Sequence, residues 1–167
     1  MKEIMKKLII VGLLIMMSSF LFAQKSVPSV RLKKFNGETV DIKEVVKKDK
    51  IVILSFWATW CKPCIAELTA VADLLDDWKE ETGVKFIAVS IDDSRSSSRV
   101  KSFVKGRDWQ YDIYLDDNQN LKRALGINLI PHVFIIKNGK IVWEHSSYVA
   151  GDEDVVYEKL LEVKNEK

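Results

Sequence analysis

With 167 residues, 47% of them hydrophobic and 30% charged, the chain carries enough apolar material for one globular domain plus a short leader, without structural metals or staples. A formal net charge of +2 gives no field that would recruit DNA, RNA or anionic lipid, so no nucleic-acid partner is expected. The two cysteines, three positions apart, exclude the disulfide framework that small exported domains use.

Residues 1–23 read as a secretory signal peptide. Lys2, Lys6 and Lys7 form a positive head, Leu8 to Met17 is apolar, and Ser18 to Ala23 ends on a small residue. The apolar stretch from Leu8 to Ala23 is 16 residues, short of the roughly 20 that span a bilayer. Cleavage after Ala23 is expected, although Leu21 is bulky for its place; an N-terminal anchor over residues 8–23 is the alternative. No Cys ends the leader, which excludes a lipid anchor there. Either way the domain, residues 24–167, is expected to work in the periplasm or otherwise outside the cytoplasm. Lys2, Lys6, Lys7 and Glu3 leave with the leader, so of 26 basic and 24 acidic residues 23 of each remain, a net charge of about zero.

A short strand is expected at Val30-Arg31-Leu32, a turn at Asn36-Gly37 and a returning strand at Thr39-Val40-Asp41, with Asp41 capping a brief helix from Ile42 to Lys48. Ile51 to Trp57 is a nearly continuous apolar run, which suits a central strand buried on both faces. From Pro63 to about Glu80 the residues Ile65, Leu68, Val71, Leu75 and Trp78 recur at helical spacing, and Gly83 stops the helix. Val84 to Ile91 is another buried strand, and Asp92-Asp93-Ser94 reads as a turn. Arg95 to Ser98 is a polar loop and cap before a helix to Lys105; Tyr111 to Leu115 alternates like a strand; Asn118 to Leu125 is a short helix stopped by Gly126. His132 to Lys137 and Lys140 to Glu144 pair through Asn138-Gly139, a turn that needs positive φ, and Asp152 to Val163 closes the chain as a helix. The order predicts an α/β domain: a mixed sheet with a parallel core, an antiparallel hairpin at its edge and helices on both faces.

The chemistry concentrates in Trp60-Cys61-Lys62-Pro63-Cys64. A bridge closing so small a loop removes little chain entropy and makes a weak staple, so this disulfide is meant to open and close. Cys61 stands where a buried strand gives way to a helix. Free N–H groups and the positive end of the helix dipole there favour thiolate over thiol. Pro63 suits a helix start, and Cys64, one turn inward, is close enough to bond Cys61.

The segment Phe56-Trp57-Ala58-Thr59-Trp60-Cys61-Lys62-Pro63-Cys64, with Ile130-Pro131 about seventy residues on before the last hairpin, resembles the thioredoxin-like proteins. The leader, the N-terminal β-hairpin, the αβ insertion between Arg95 and Leu115, and Glu67 make the chain most similar to the TlpA/ResA-like branch, over residues 30–165. The resemblance implies a thioredoxin-like fold with Pro131 cis and against the cysteine pair, where Ile130 and Pro131 would bind an incoming peptide as a temporary strand. It also implies that Trp57 packs in the core while Trp60 borders the dithiol and contacts substrate.

Glu67 follows Cys64 by three positions, one helix face apart by about 5–6 Å. Thiol exchange moves protons on and off sulfur, which a carboxyl of raised pKa can do. Glu67 matches the acidic residue after the second Cys in ResA-like proteins; ordinary thioredoxins bury an Asp in the preceding strand, where this chain has Ser55. Trp78, Trp109 and Trp143 read as packing residues. His132 reads as a strand histidine making a backbone hydrogen bond, and His145 has no evident partner.

The catalytic set is therefore Cys61, Cys64 and Glu67, with no cofactor and no metal. A copper or zinc carrier using Cys61, Cys64 and His132 is a rival, opposed by the cysteine spacing and the small ligand supply. A thiol peroxidase is another: Thr59 fits that pattern, but Leu54 stands where a Pro would be sought. Lys62-Pro63 resembles reductants, so a potential nearer about −270 mV than about −120 mV is expected. Expected partners are disulfide-containing protein substrates, by resemblance including apocytochrome c, and a membrane thiol electron donor; the protein is expected to be a monomer.

Overall fold

The computed structural model describes residues 25–107 and 109–166. The expected leader, residues 1–23, lies outside them. Among the described residues no helix is long and apolar enough to cross a membrane.

The fold grows from β3, Ile51–Trp57, all seven of whose residues are buried. A strand without a polar face must sit inside a sheet covered on both sides. It pairs in parallel with β4 (Lys85–Ser90) and antiparallel with β6 (His132–Lys137), so that Ser55 faces Ala88 on one side and Val133 on the other. The remaining strands are β1 (Arg31–Lys33), β2 (Thr39–Asp41), β5 (Asp112–Leu115) and β7 (Lys140–Ser146). They complete a seven-stranded sheet in the order β2-β1-β5-β4-β3-β6-β7. Only β3, β4 and β5 run parallel to their neighbours in the middle; antiparallel pairs close both edges. The N-terminal hairpin and the inserted strand β5 thus widen one side, and the final hairpin forms the other.

Among the described residues five helices accompany the sheet: α1 (Ile42–Val46), α2 (Lys62–Thr82), α3 (Ser97–Lys105), α4 (Asn120–Leu125) and α5 (Asp152–Asn165). Most bounds differ from the expected ones by only a residue or two, as fraying ends do. Asp41 caps α1 by accepting the Lys43 N–H. Gly83 closes α2 at φ +67, a left-handed conformation in which its N–H reaches the Lys79 carbonyl. At the β6–β7 turn Asn138 and Gly139 take φ values of 52° and 78°, which matches the twist of the two strands.

On α2 the residues Cys64, Leu68, Val71, Leu75 and Trp78 are buried, a stripe at helical spacing that seats the helix on the sheet. Its far end is stapled to α5 by the stacked rings of Trp78 and Tyr157, 5.4 Å apart. Trp57 is fully buried and packs against Phe103 of α3 and against Trp109. These contacts fix the C-terminal end of β3, where the chain leaves the sheet for α2.

Candidate active site

Cys61 is the N-cap of α2 and has extended backbone geometry. Its own N–H bonds the Ala58 carbonyl at 3.0 Å, closing a turn over residues 58–61, and its sulfur accepts the Cys64 N–H at 3.3 Å. A sulfur thus takes the place that a Ser or Asp oxygen fills at ordinary helix starts. Pro63 lies in the first turn, where an N–H would have no intrahelical partner. Cys61 and Cys64 are joined by a disulfide, S–S 2.06 Å with Cα atoms 5.3 Å apart. Cys64 is fully enclosed; Cys61 retains 6% of its surface.

The Ile130–Pro131 peptide bond is cis, and Pro131 is buried. The Cys61 sulfur lies 3.9 Å from the Ile130 carbonyl oxygen. In the disulfide this is a contact, because the sulfur carries no hydrogen. The Pro131 carbonyl accepts the Ser147 N–H at 3.0 Å, which ties the proline to the end of β7. Trp60 stands outside this cleft, 65% exposed, and a cavity of about 330 Å³ opens beside it, walled in part by Ile91, Arg95, Arg99 and Gln119. Leu129 and Val149 are similarly bare, each on a segment adjoining Ile130–Pro131.

Glu67 does not point to solvent. It is 3% exposed, and its Oε2 accepts the Ser55 hydroxyl at 3.0 Å. Removal of water pushes its pKa up to about 7; the Ser55 hydrogen bond works against this, and the negative charges of Asp152 and Glu153 at the start of α5 add to it. The strand position that ordinary thioredoxins fill with an acid holds a hydroxyl here, and the acid comes from the helix to meet it. Burial, helped by Glu67, also raises the Tyr111 phenol, whose hydroxyl donates to the Leu68 carbonyl at 3.1 Å.

A second buried carboxylate is bonded to the Cys61 turn. Asp92 is 1% exposed, although the sequence places it in a turn. Its oxygens accept the Thr59 N–H at 2.9 Å, the Thr59 hydroxyl at 2.6 Å and the Ser90 hydroxyl at 2.8 Å. The turn itself is organised by Asp93, which accepts from Arg95 and Ser96 and is thereby held down to a pKa of about 2. The available signal for Asp92 was its position directly after a strand of buried residues, where a polar side chain is still within the covered layer.

His132 bonds across the hairpin to the Glu144 carboxylate, Nε2 to Oε2 3.4 Å, rather than to backbone, and burial lowers its pKa. His145 does have a neighbour, the Asp152 carboxylate at 3.6 Å, and stacks on Trp143. Among the described residues no group of three or more His, Cys, Asp or Glu side chains is placed to hold a metal ion.

The arrangement can exchange a disulfide and move a proton beside it. A family model described as AhpC/TSA matches residues 23–144. The chain belongs to the AhpC/TSA family. Within it the chain is a ResA-like thiol–disulfide oxidoreductase with a thioredoxin fold, and its substrates are disulfide-containing proteins. The thiol-disulfide oxidoreductase ResA of Bacillus thuringiensis subsp. konkukian is 33% identical over 121 residues, covering 72% of this chain and 67% of that protein. ResA of Bacillus subtilis is 30% identical over 116 residues, covering 69% and 62%. Among solved structures, a thioredoxin-like protein from Porphyromonas gingivalis is 43% identical with a TM-score of 0.74, over 82% of this chain and 90% of that one. StoA from Bacillus subtilis is 25% identical with a TM-score of 0.63, over 79% and 97%.

Proposed function

We propose that the protein is a disulfide reductase working outside the cytoplasm, with Cys61 as attacking sulfur, Cys64 as resolving sulfur and Glu67 as proton carrier. The observation that carries this reading is the Cys61 sulfur at the start of α2, receiving the Cys64 N–H, with a buried carboxyl one turn behind. In the reduced protein the Cys61 thiolate attacks one sulfur of a substrate disulfide, forms a mixed disulfide and expels the other substrate sulfur, which takes up a proton. Cys64 then gives its proton to Glu67 and attacks the Cys61 sulfur. The second substrate sulfur leaves as a thiolate and takes that proton back from Glu67; the substrate has gained two electrons, and Cys61 and Cys64 end joined as the disulfide. Trp60, Ile130 and Pro131 form the contact surface, with the backbone beside Pro131 pairing to an extended segment of the substrate.

The signal peptide over residues 1–23, or an anchor over residues 8–23, supplies the location. A membrane thiol donor returns the electrons, and apocytochrome c before haem attachment is one substrate. The lysine and proline between the cysteines support the reductive direction.

Reduction of insulin by dithiothreitol in the presence of the protein tests the activity, and equilibration with glutathione buffers tests the direction. A potential above about −150 mV would overturn the reductive assignment. The Cys64→Ala variant should accumulate mixed disulfides on Cys61: cytochrome precursors among them would support haem maturation, and a broad mixture would point to general thiol repair. Consumption of peroxide faster than of protein disulfides would replace this reading with a peroxidase.

A further inference from the structure

We propose that the buried Asp92 is a positioning residue for the dithiol: by gripping Thr59 at both its amide and its hydroxyl, it fixes the turn that sets Cys61 on the helix start and turns Trp60 outward. The turn over residues 58–61 is otherwise closed by one hydrogen bond, from the Cys61 N–H to the Ala58 carbonyl. Two bonds from one residue to one carboxylate leave Thr59 little freedom about its backbone. The carboxylate is itself immobile. Ser90 donates to it from within β4, and the Asp92 N–H returns to the Ser90 hydroxyl at 3.1 Å.

The surroundings are held to the same point. The Ile91 N–H extends the β3–β4 pairing to the Trp57 carbonyl at 2.9 Å, and Gln119 donates to the Ile91 carbonyl at 3.2 Å. Asp92 therefore stands on a rigid strand end and reaches across to the only exit from β3. Trp60 follows Thr59 directly and is 65% exposed. Cys61 follows Trp60, and its sulfur meets the Cys64 N–H only at one setting of the turn. A buried acid whose bonds converge on the residue two places before the reactive sulfur thus acts through the chain, without touching the substrate.

This rests on Cys61 being the attacking sulfur. The decisive variant is Thr59→Val, which keeps shape and the amide bond and deletes the hydroxyl bond to Asp92. The turn then loosens, weakening the Cys64 N–H contact to the Cys61 thiolate. Lys62 beside Cys61 and Glu67 along α2 are unchanged, so a displacement reports the grip.

With reduced protein, the rate of Cys61 alkylation by iodoacetamide is followed against pH. The expected result is a curve displaced upward, with about threefold slower alkylation below the wild-type midpoint, because the rate follows the thiolate fraction. Thr59→Ser, which restores the hydroxyl, should return the wild-type curve. If Thr59→Val does not fold, Thr59→Ala must give the same displacement. A folded Thr59→Val with the wild-type curve overturns the proposal, including where it melts earlier, since the grip would then serve stability alone. An inert Cys61 in the wild-type protein would instead overturn the reading of the dithiol itself.

Discussion

Two buried carboxyl groups are tied to the segment that bears the dithiol, one on α2 itself and one through Thr59, and they are partnered differently. Glu67, on α2, receives one hydroxyl, from Ser55, and is almost wholly buried. Asp92, past the end of β4, receives three donors, two of them from Thr59. Burial disfavours an ionised carboxyl unless hydrogen bonds to the charged form replace water. With a single partner Glu67 is left with a pKa of about 7, where a proton can come and go at neutral pH. The three donors to Asp92 instead tie it to Thr59 and Ser90.

The comparison is empty unless Cys61 is the atom both groups serve. Cys61→Ser should therefore lower insulin reduction by at least about a hundredfold, because a serine hydroxyl is hardly ionised where a helix-capping thiol is. Retained activity in that variant would remove the premise.

Glu67→Gln separates the two roles. Without a titrating carboxyl, thiol exchange near pH 7 should slow by on the order of ten- to a hundredfold, and the step in its pH profile should vanish. The same variant has a stability signature. The folded state holds the Glu67 proton more tightly than the unfolded chain, whose value is near the ordinary 4.5. The stabilisation is complete below pH 4.5 and is lost as pH rises through about 7, about 3 kcal/mol in all. Denaturant titrations between pH 4 and 8 should show this decline in the wild type and a flatter line in Glu67→Gln.

Ser55→Ala removes the one donor. Since that bond lowers the Glu67 pKa, its loss should carry the pH step upward and reduce stability at pH 8 by about 1–2 kcal/mol. An unmoved step would mean that desolvation alone sets the group. Trp60→Ala carries the smallest effect, about a fivefold higher KM for insulin with no change toward a small disulfide. Equal losses on both substrates would show that Trp60 supports the turn rather than the partner.

Much of this could be read along the chain. The run from Ile51 to Trp57 has no polar face for solvent, so its central place follows from composition, and the β6–β7 hairpin follows from Asn138-Gly139 because few residues accept positive φ. The antiparallel pairing of β1 with β5, which joins the N-terminal hairpin to the insertion, was not legible: Lys33 and Leu115 are partners across more than eighty residues, and neither strand states its neighbour. For His132 the sequence suggests only a backbone partner, while the hairpin register sets Glu144 within reach.

What the sequence by itself determined was the reactive pair and its setting, since strand, Cys, Pro and Cys in that order place a sulfur on a helix start by local geometry alone. Glu67 was legible as a neighbour of Cys64 for the same reason. Its pKa was not, because desolvation depends on what covers a group, and that cover comes from β3, α5 and the segment around Tyr111. Asp92 is the clearer case. Thirty-three residues separate it from Thr59, and only the parallel pairing of β3 with β4 brings the two strand ends side by side.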